Sequence, residues 1–203
     1  MTILFATFVS VFVSCKDDYE NTIANLKVAV TVEINSKAKY LAFADKAATE
    51  GYRNISNMFK AAAAAENIHA RSHNDALKKM GEPEFTTTAE TPTVKSTVEN
   101  IQTTIVDETN EFTVIYPGFI TTAKKEKCND AVETFRLANL AEENHASWFS
   151  EVLTAIESDN TVPPVFFVCA RCGGMFLNHF SKCGLCQADT EQQYYIPLVF
   201  DAH

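Results

Sequence analysis

The chain has 203 residues, 46% of them hydrophobic and 21% charged, and a formal net charge of −9. That length allows one or two domains with enough apolar side chains to bury a real core. The negative balance argues against a nucleic-acid surface, which has to be basic, and leaves acidic groups free to neutralise bound cations.

Residues 1–15 form a leader of their own. Ile3 to Val13 is an apolar run too short to cross a bilayer as a helix. It ends in small residues before Cys15, as the hydrophobic region of a secretory signal does. The "FVSC" ending resembles a bacterial lipobox, in which the cysteine becomes lipidated, although no Lys or Arg precedes the run. The acidic "CKDD" resembles the surface-export signal of some Gram-negative lipoproteins. Cys15 is therefore the candidate lipid anchor, the alternative being an ordinary N-terminal hydrophobic strand or helix.

Residues 16–160 read as four helices. "NLKVAVTVEINSKAKYLAFADKAATEG" is the first, with Gly51 suited to close it. The second, "ISNMFKAAAAAENIHARSHNDALKKMG", stops at Gly81. The Thr- and Pro-rich "EPEFTTTAETPT" is a crossover loop. Ser96 and Glu99 then make a capping box that opens the third helix, which Pro117-Gly118 should kink or interrupt. Asp130 and Glu133 mark the start of the fourth, "VETFRLANLAEENHASWFSEVLTAIE". Two short connections and one long one describe a ferritin-like four-helix bundle, so the fold class is mainly α.

Residues 161–203 lose the helical period and become dense in Gly, Cys and aromatic residues. So short a segment cannot hold itself together by burial alone, and hairpins around a metal are expected.

The helices carry a repeated pattern of metal ligands. The first has Glu33, the second Glu66 and His69, the third Glu108 and Glu111, the fourth Glu142 and His145. Each Glu-x-x-His pair is spaced i,i+3 and leaves one helix face. Glu33 and Glu66 are 33 residues apart, and Glu108 and Glu142 are 34. Each half is thus a helical hairpin with one Glu on its first helix and Glu-x-x-His on its second. Tyr40 follows Glu33 by seven residues and Tyr116 follows Glu108 by eight, which extends the parallel to residues that would orient the ligands. Two such hairpins packed together make a di-metal carboxylate site. Carboxylates with a few imidazoles suit iron or manganese better than a structural zinc. Glu111 has no counterpart, since Ser36 takes the equivalent place after Glu33. His73, in "RSHND", reads as a surface histidine, and Glu20, Glu50, Glu126 and Glu143 as members of solvated faces.

In the tail, Cys169 and Cys172 of "CARC" and Cys183 and Cys186 of "CGLC" form two knuckles separated by ten residues. This spacing reads as a four-thiolate metal site rather than a disulfide framework, and tetrahedral sulfur suits zinc and iron alike. Cys128 stands alone.

At these residues the chain resembles the rubrerythrin family over nearly everything after the leader. The first-helix stretch with Glu33 and Tyr40, "AENIHA", "DETNEFTVIYPGF", "EENHASWF" and "CARCGG…CGLC" are similar to the family's four helices and its rubredoxin-like domain. The chain departs from the family in Val32, where Gly is usual, and in closer knuckles without the usual Pro. The resemblance implies a peroxidase that reduces hydrogen peroxide to water at two ferrous ions, in oxidative-stress defence. It implies Glu66 and Glu142 as bridging ligands and Glu33, Glu108 and Glu111 as terminal ones, with Glu111 exchanging with His69 on oxidation. Tyr40 and Tyr116 would bond to ligand carboxylates, and iron on the four cysteines would pass electrons from a reductase or a rubredoxin. Since the two centres are expected far apart within one chain, a head-to-tail homodimer follows. The family is mostly cytoplasmic, whereas the leader points to a lipid-anchored cell-envelope protein. The rival readings are iron oxidation and storage, or a metal-binding lipoprotein, each with a structural zinc tail.

Overall fold

Alanine-rich sequence with apolar side chains at three- and four-residue intervals builds long helices that pack closely. A computed structural model of the chain describes residues 19–158, 162–163, 165–178, 181–189 and 193–196, so the leader and Cys15 lie outside the described residues. Its helices are α1 (Glu20–Thr49), α2 (Arg53–Lys79), α3 (Thr97–Asn110), α4 (Tyr116–Lys125) and α5 (Asn129–Glu157), with a π-helical turn, Glu111–Ile115, between α3 and α4. They form a four-helix bundle in which α3, the π-turn and α4 together make the third member. Among the described residues no helix is long and apolar enough to cross a membrane.

The expected stops are used. Gly51 and Gly81 follow α1 and α2 at φ +88° and +81°. At each stop the next residue's N–H reaches back to Ala47 or Leu77 at 2.8 and 3.0 Å, the bonding of a Schellman cap. The Ser96–Glu99 capping box is present at the start of α3. The crossover loop is tied down by Asn74, which donates to the Phe85 carbonyl at 2.9 Å and accepts from the Phe85 N–H at 2.8 Å.

Two of the glutamates expected on solvated faces bond elsewhere instead. Glu126 accepts from the Thr22 N–H and Asn21 Nδ2 at 2.9 and 2.8 Å, capping α1, whose own N-cap Tyr19 makes no side-chain capping bond. Glu50 accepts from the Thr97 N–H and hydroxyl at 2.8 and 2.6 Å, joining the end of α1 to the start of α3. In both cases free N–H groups at a helix start attract a carboxylate from a neighbouring element.

The third helix explains the uneven tyrosine spacing. Pro117 has no N–H to give, and the Tyr116 N–H bonds to the Glu111 carbonyl five residues back. That π-turn absorbs one extra residue, so Tyr116, eight after Glu108, faces inward as Tyr40 does, seven after Glu33.

The tail forms a small antiparallel sheet of order β2-β1-β3, from β1 (Phe166–Cys169), β2 (Met175–Phe176) and β3 (Gln193–Ile196). It shares the bundle's interior: Phe166, Val168 and Met175 join Tyr40, Phe43, Phe59 and Phe149 in one core. A second core holds Leu26, Val30, Leu77, Tyr116 and Phe135. Along α1 and α2 the carboxylates and imidazoles fall between these two apolar layers.

Replacing Ser96 with Ala should lower the unfolding free energy by about 1 kcal/mol, read from chemical denaturation at fixed metal content. No measurable change would show that the Glu50 contact alone starts α3.

Candidate metal centre

Helix geometry delivers every predicted bundle ligand to the interior. Glu33, Glu66, His69, Glu108, Glu111, Glu142 and His145 are all buried, though charged groups seldom are without partners. Six of the seven form two overlapping groups, Glu33–Glu66–His69–Glu142 and Glu66–Glu108–Glu142–His145, each with ligand atoms within 4.8 Å of one another. Glu66 and Glu142 belong to both. Glu66 turns Oε2 to His69 Nδ1 at 3.0 Å and Oε1 to His145 Nδ1 at 3.9 Å. Glu142 offers Oε1 to His69 and Oε2 to His145, each at 2.9 Å. Each of these carboxylates thus presents one oxygen to each half.

The remaining two glutamates are held crosswise. The Tyr40 hydroxyl donates to Glu108 Oε1, and the Tyr116 hydroxyl donates to Glu33 Oε1. Each tyrosine therefore serves the other hairpin's carboxylate. Glu33 Oε2 is left facing His69 Nδ1 and Glu108 Oε2 facing His145 Nδ1, both at 3.7 Å. Glu111, the first residue of the π-turn, is in neither group. It borders a cavity of about 390 Å³ that Val32, Ser36, Lys39, Asp107 and the crossover loop also line.

The imidazoles are oriented from outside the bundle. His69 Nε2 lies 2.9 Å from the Cys172 carbonyl, and His145 Nε2 lies 3.1 Å from the Gly173 carbonyl. A carbonyl only accepts, so both Nε2 atoms carry hydrogen and a neutral ring turns its Nδ1 lone pair into the cluster. Gly173 makes this approach possible: it sits at φ +78°, and a Cβ there would come 2.3 Å from His69 Nε2. Two flanking residues of α5 dock the same turn, Asn144 accepting from the Met175 N–H at 2.7 Å and Trp148 Nε1 donating to the Met175 carbonyl at 2.9 Å. The expectation that the two centres lie far apart within one chain is therefore not met, because the knuckle packs on its own bundle.

The donor set fits cations. Among the described residues, Glu33 Oε2, Glu108 Oε2, both Glu142 carboxylate oxygens and His145 Nδ1 are buried without a hydrogen-bond partner. All are acceptors, and acceptors facing one another need protons or metal ions between them. Five carboxylates carry at most five negative charges, which two divalent cations nearly balance. The tail passes a similar test. Sγ of Cys169 and Cys186, and of Cys172 and Cys183, lie 3.7 Å apart, with no disulfide formed. A tetrahedron of sulfurs about 2.3 Å from its metal has edges of about 3.8 Å.

His73 is not the surface histidine its polar neighbours suggest. It is completely buried, its Nε2 3.1 Å from the Tyr116 hydroxyl and its Nδ1 3.0 Å from Thr134 Oγ1. Its position four residues after His69 already placed it on the ligand face. Asn144, Trp148 and the two carbonyls carry no comparable signal, since backbone acceptors have no residue type.

Without cations the cluster competes for protons. Burial, with the Glu142 charge, pushes the Glu108 carboxyl up to about 7. Burial also raises Glu66 and Glu111, with Glu142 and Glu33 respectively adding to the shift. Burial alone would lower His69 and His145, but the surrounding glutamates outweigh it and raise both. For all five groups the folded value exceeds the unfolded one, so their stability is complete below the unfolded value and lost as pH rises through the folded one. His73, lowered by burial, acts in the opposite direction. The melting temperature of the metal-free protein should therefore fall between about pH 5 and about pH 8, and two divalent cations should abolish the fall. A flat or rising metal-free profile would contradict this electrostatic account.

Comparison with known proteins agrees with this architecture. The family model for rubrerythrin matches residues 24–153. The chain is 32% identical to nigerythrin of Nitratidesulfovibrio vulgaris over 186 residues, 91% of each chain. It is 27% identical to rubrerythrin of Porphyromonas gingivalis over 174 residues, 84% of this chain and 86% of that one. A solved structure of nigerythrin in a mixed-valence state superposes with a TM-score of 0.79 over 86% of both chains, at 32% identity. An open-pore ferritin from Archaeoglobus fulgidus, at 17% identity, shares the bundle fold with a TM-score of 0.62 over 68% of this chain and 86% of its own. With a bundle carrying two carboxylate–imidazole sites and a C-terminal four-cysteine, rubredoxin-like knuckle, the chain belongs to the rubrerythrin family.

Proposed function

We propose that the chain is a peroxidase that reduces hydrogen peroxide to water at a di-iron centre, with electrons delivered through an iron held by Cys169, Cys172, Cys183 and Cys186. The observation that carries this reading is the pair of hydrogen bonds from His69 and His145 to the Cys172 and Gly173 carbonyls. They join the four-sulfur knuckle to the carboxylate cluster through a single backbone turn. Nigerythrin has been solved in mixed-valence and all-ferrous states, so its irons change valence.

Two ferrous ions in the bundle would supply one electron each, the pair needed to cleave an O–O bond. The chain's own groups do the rest. Glu66 and Glu142 span the two halves and fix their separation. Tyr40 and Tyr116 hold Glu108 and Glu33 so that only one oxygen of each points inward. Peroxide would approach from the crossover loop, through the cavity that Glu111 borders. The aromatic layer of Phe43, Phe59 and Phe149 keeps bulk water from the other side. An external reductase or rubredoxin would meet the knuckle near Cys186, the least buried of its four cysteines.

The sulfur spacing suits zinc as well as iron, so the rival reading is a ferroxidase or iron-storage role with a structural zinc tail. Metal content and visible spectrum of the purified protein separate the two. An iron–thiolate colour bleached by a reductase and restored by peroxide supports the peroxidase, and a colourless zinc knuckle overturns it. A sharper test is Gly173→Ala, which has to displace the knuckle from His69. Reductase-driven peroxide turnover should fall at least about tenfold. Reoxidation of chemically reduced bundle iron by peroxide should fall by less, since that reaction loses only the orientation of the histidines. Unchanged turnover would show that electrons do not pass by this turn.

A further inference from the structure

The two halves of the cluster match ligand for ligand, but the tyrosines that hold them sit in different surroundings. The residue seven after Glu66 is His73, and the residue seven after Glu142 is Phe149. Tyr40 is accordingly enclosed by rings, with Phe59 and Phe149 both at 6.1 Å and Phe43 at 6.4 Å between centroids. Tyr116 also packs on two rings, Phe135 at 6.1 Å and Phe119 at 6.2 Å, but has His73 where Tyr40 has a third phenylalanine.

The hydrogens along this contact follow from its end. Glu33 accepts the Tyr116 proton, so the phenolic oxygen is free only to accept. His73 Nε2, 3.1 Å away, must be the donor. In the neutral ring Nδ1 is then an acceptor, and Thr134 Oγ1 at 3.0 Å supplies its hydrogen. Thr134, His73, Tyr116 and Glu33 form one directed chain, all of it buried. Every donor in it points toward the cluster, and successive bonds in such a chain polarise one another.

We propose that His73 is a positioning residue for the Glu33 half of the di-metal centre: Thr134 sets its tautomer, its Nε2–H fixes the Tyr116 hydroxyl, and that hydroxyl holds Glu33 with Oε2 turned to the cation shared with His69. The cation held by Glu33 and His69 thereby gains a support that the one held by Glu108 and His145 lacks, and the two positions bind with different affinities. The inference rests on the bundle holding two cations and is independent of the reaction they perform.

Cobalt(II) titrated into the full-length protein, with zinc already on the knuckle, tests this by absorption. The paramagnetically shifted ring protons of His69 and His145 identify which position fills. His73→Phe, which copies Phe149 of the other half, should weaken the His69 position by about 10–100-fold and leave the His145 position unchanged. His73→Gln keeps an amide N–H for Tyr116 and an oxygen for Thr134, and should recover most of the loss. Thr134→Val, which keeps the side chain's shape and removes its hydroxyl, should weaken the same position. In the zinc-saturated protein, ring ¹⁵N spectra should show His73 neutral with hydrogen on Nε2. Equal weakening of both positions, no rescue by Gln, or hydrogen on Nδ1 would overturn the proposal. Fewer than two cobalt ions in the wild-type bundle would overturn the two-cation reading and this inference with it.

Discussion

Everything in this molecule is arranged around a layer of buried acceptors that face one another. Burying one ionised carboxylate costs several kcal/mol even after the surroundings relax, and here five lie within one bundle. Protons can relieve part of that repulsion, as the raised carboxyl of Glu108 indicates. Cations relieve more of it, since they accept lone pairs from several oxygens at once. The fold then has to keep these groups from escaping to water. It does so with two apolar layers above and below, and with alanines such as Ala62, Ala65 and Ala141 that let the helices approach without filling the space the ligands need.

The same constraint explains how the tail is attached. An imidazole that offers Nδ1 to a cation needs an acceptor for its other nitrogen, and the carboxylates of the cluster lie on the wrong side of the ring. The Cys172 and Gly173 carbonyls supply it, so the turn that holds two sulfurs also orients both histidines. Docking by Asn144 and Trp148, on either side of His145, keeps that turn in place. The knuckle is therefore part of the cluster's structure as well as a metal site of its own. Its own sheet leans in turn on the bundle, because Phe166, Val168 and Met175 are buried in the bundle's core.

Much of this was legible in residue spacing. Side chains on one helix face recur at fixed intervals, so the Glu and Glu-x-x-His positions and the four cysteines could be placed before any coordinates. Spacing also contained more than its simplest reading. The count of eight between Glu108 and Tyr116 marks the π-turn, which Pro117 alone suggested only as a kink. His73 was hidden by the polar letters around it, although its interval from His69 was correct. What spacing cannot carry is contact through backbone. Gly173 reads as one more glycine in "CARCGG" until a histidine is found where its Cβ would be, and the capping roles of Glu50 and Glu126 depend on which helix start lies nearby.

The departures from two-fold symmetry are not scattered. Ser36 against Glu111, the π-turn in one hairpin only, and His73 against Phe149 all fall near Glu33. After burial, Glu33 is the strongest influence raising Glu111, so the unmatched carboxylate lies on that side too. The cavity bordered by Val32, Ser36 and Glu111 opens there as well. The opposite half is closed by aromatic rings and has no spare ligand. Two hairpins of similar sequence thus build one half of the site backed by three phenylalanines and another that has His73, an adjoining cavity and an extra carboxylate. The two cation positions are therefore chemically unlike, although their ligands match one for one.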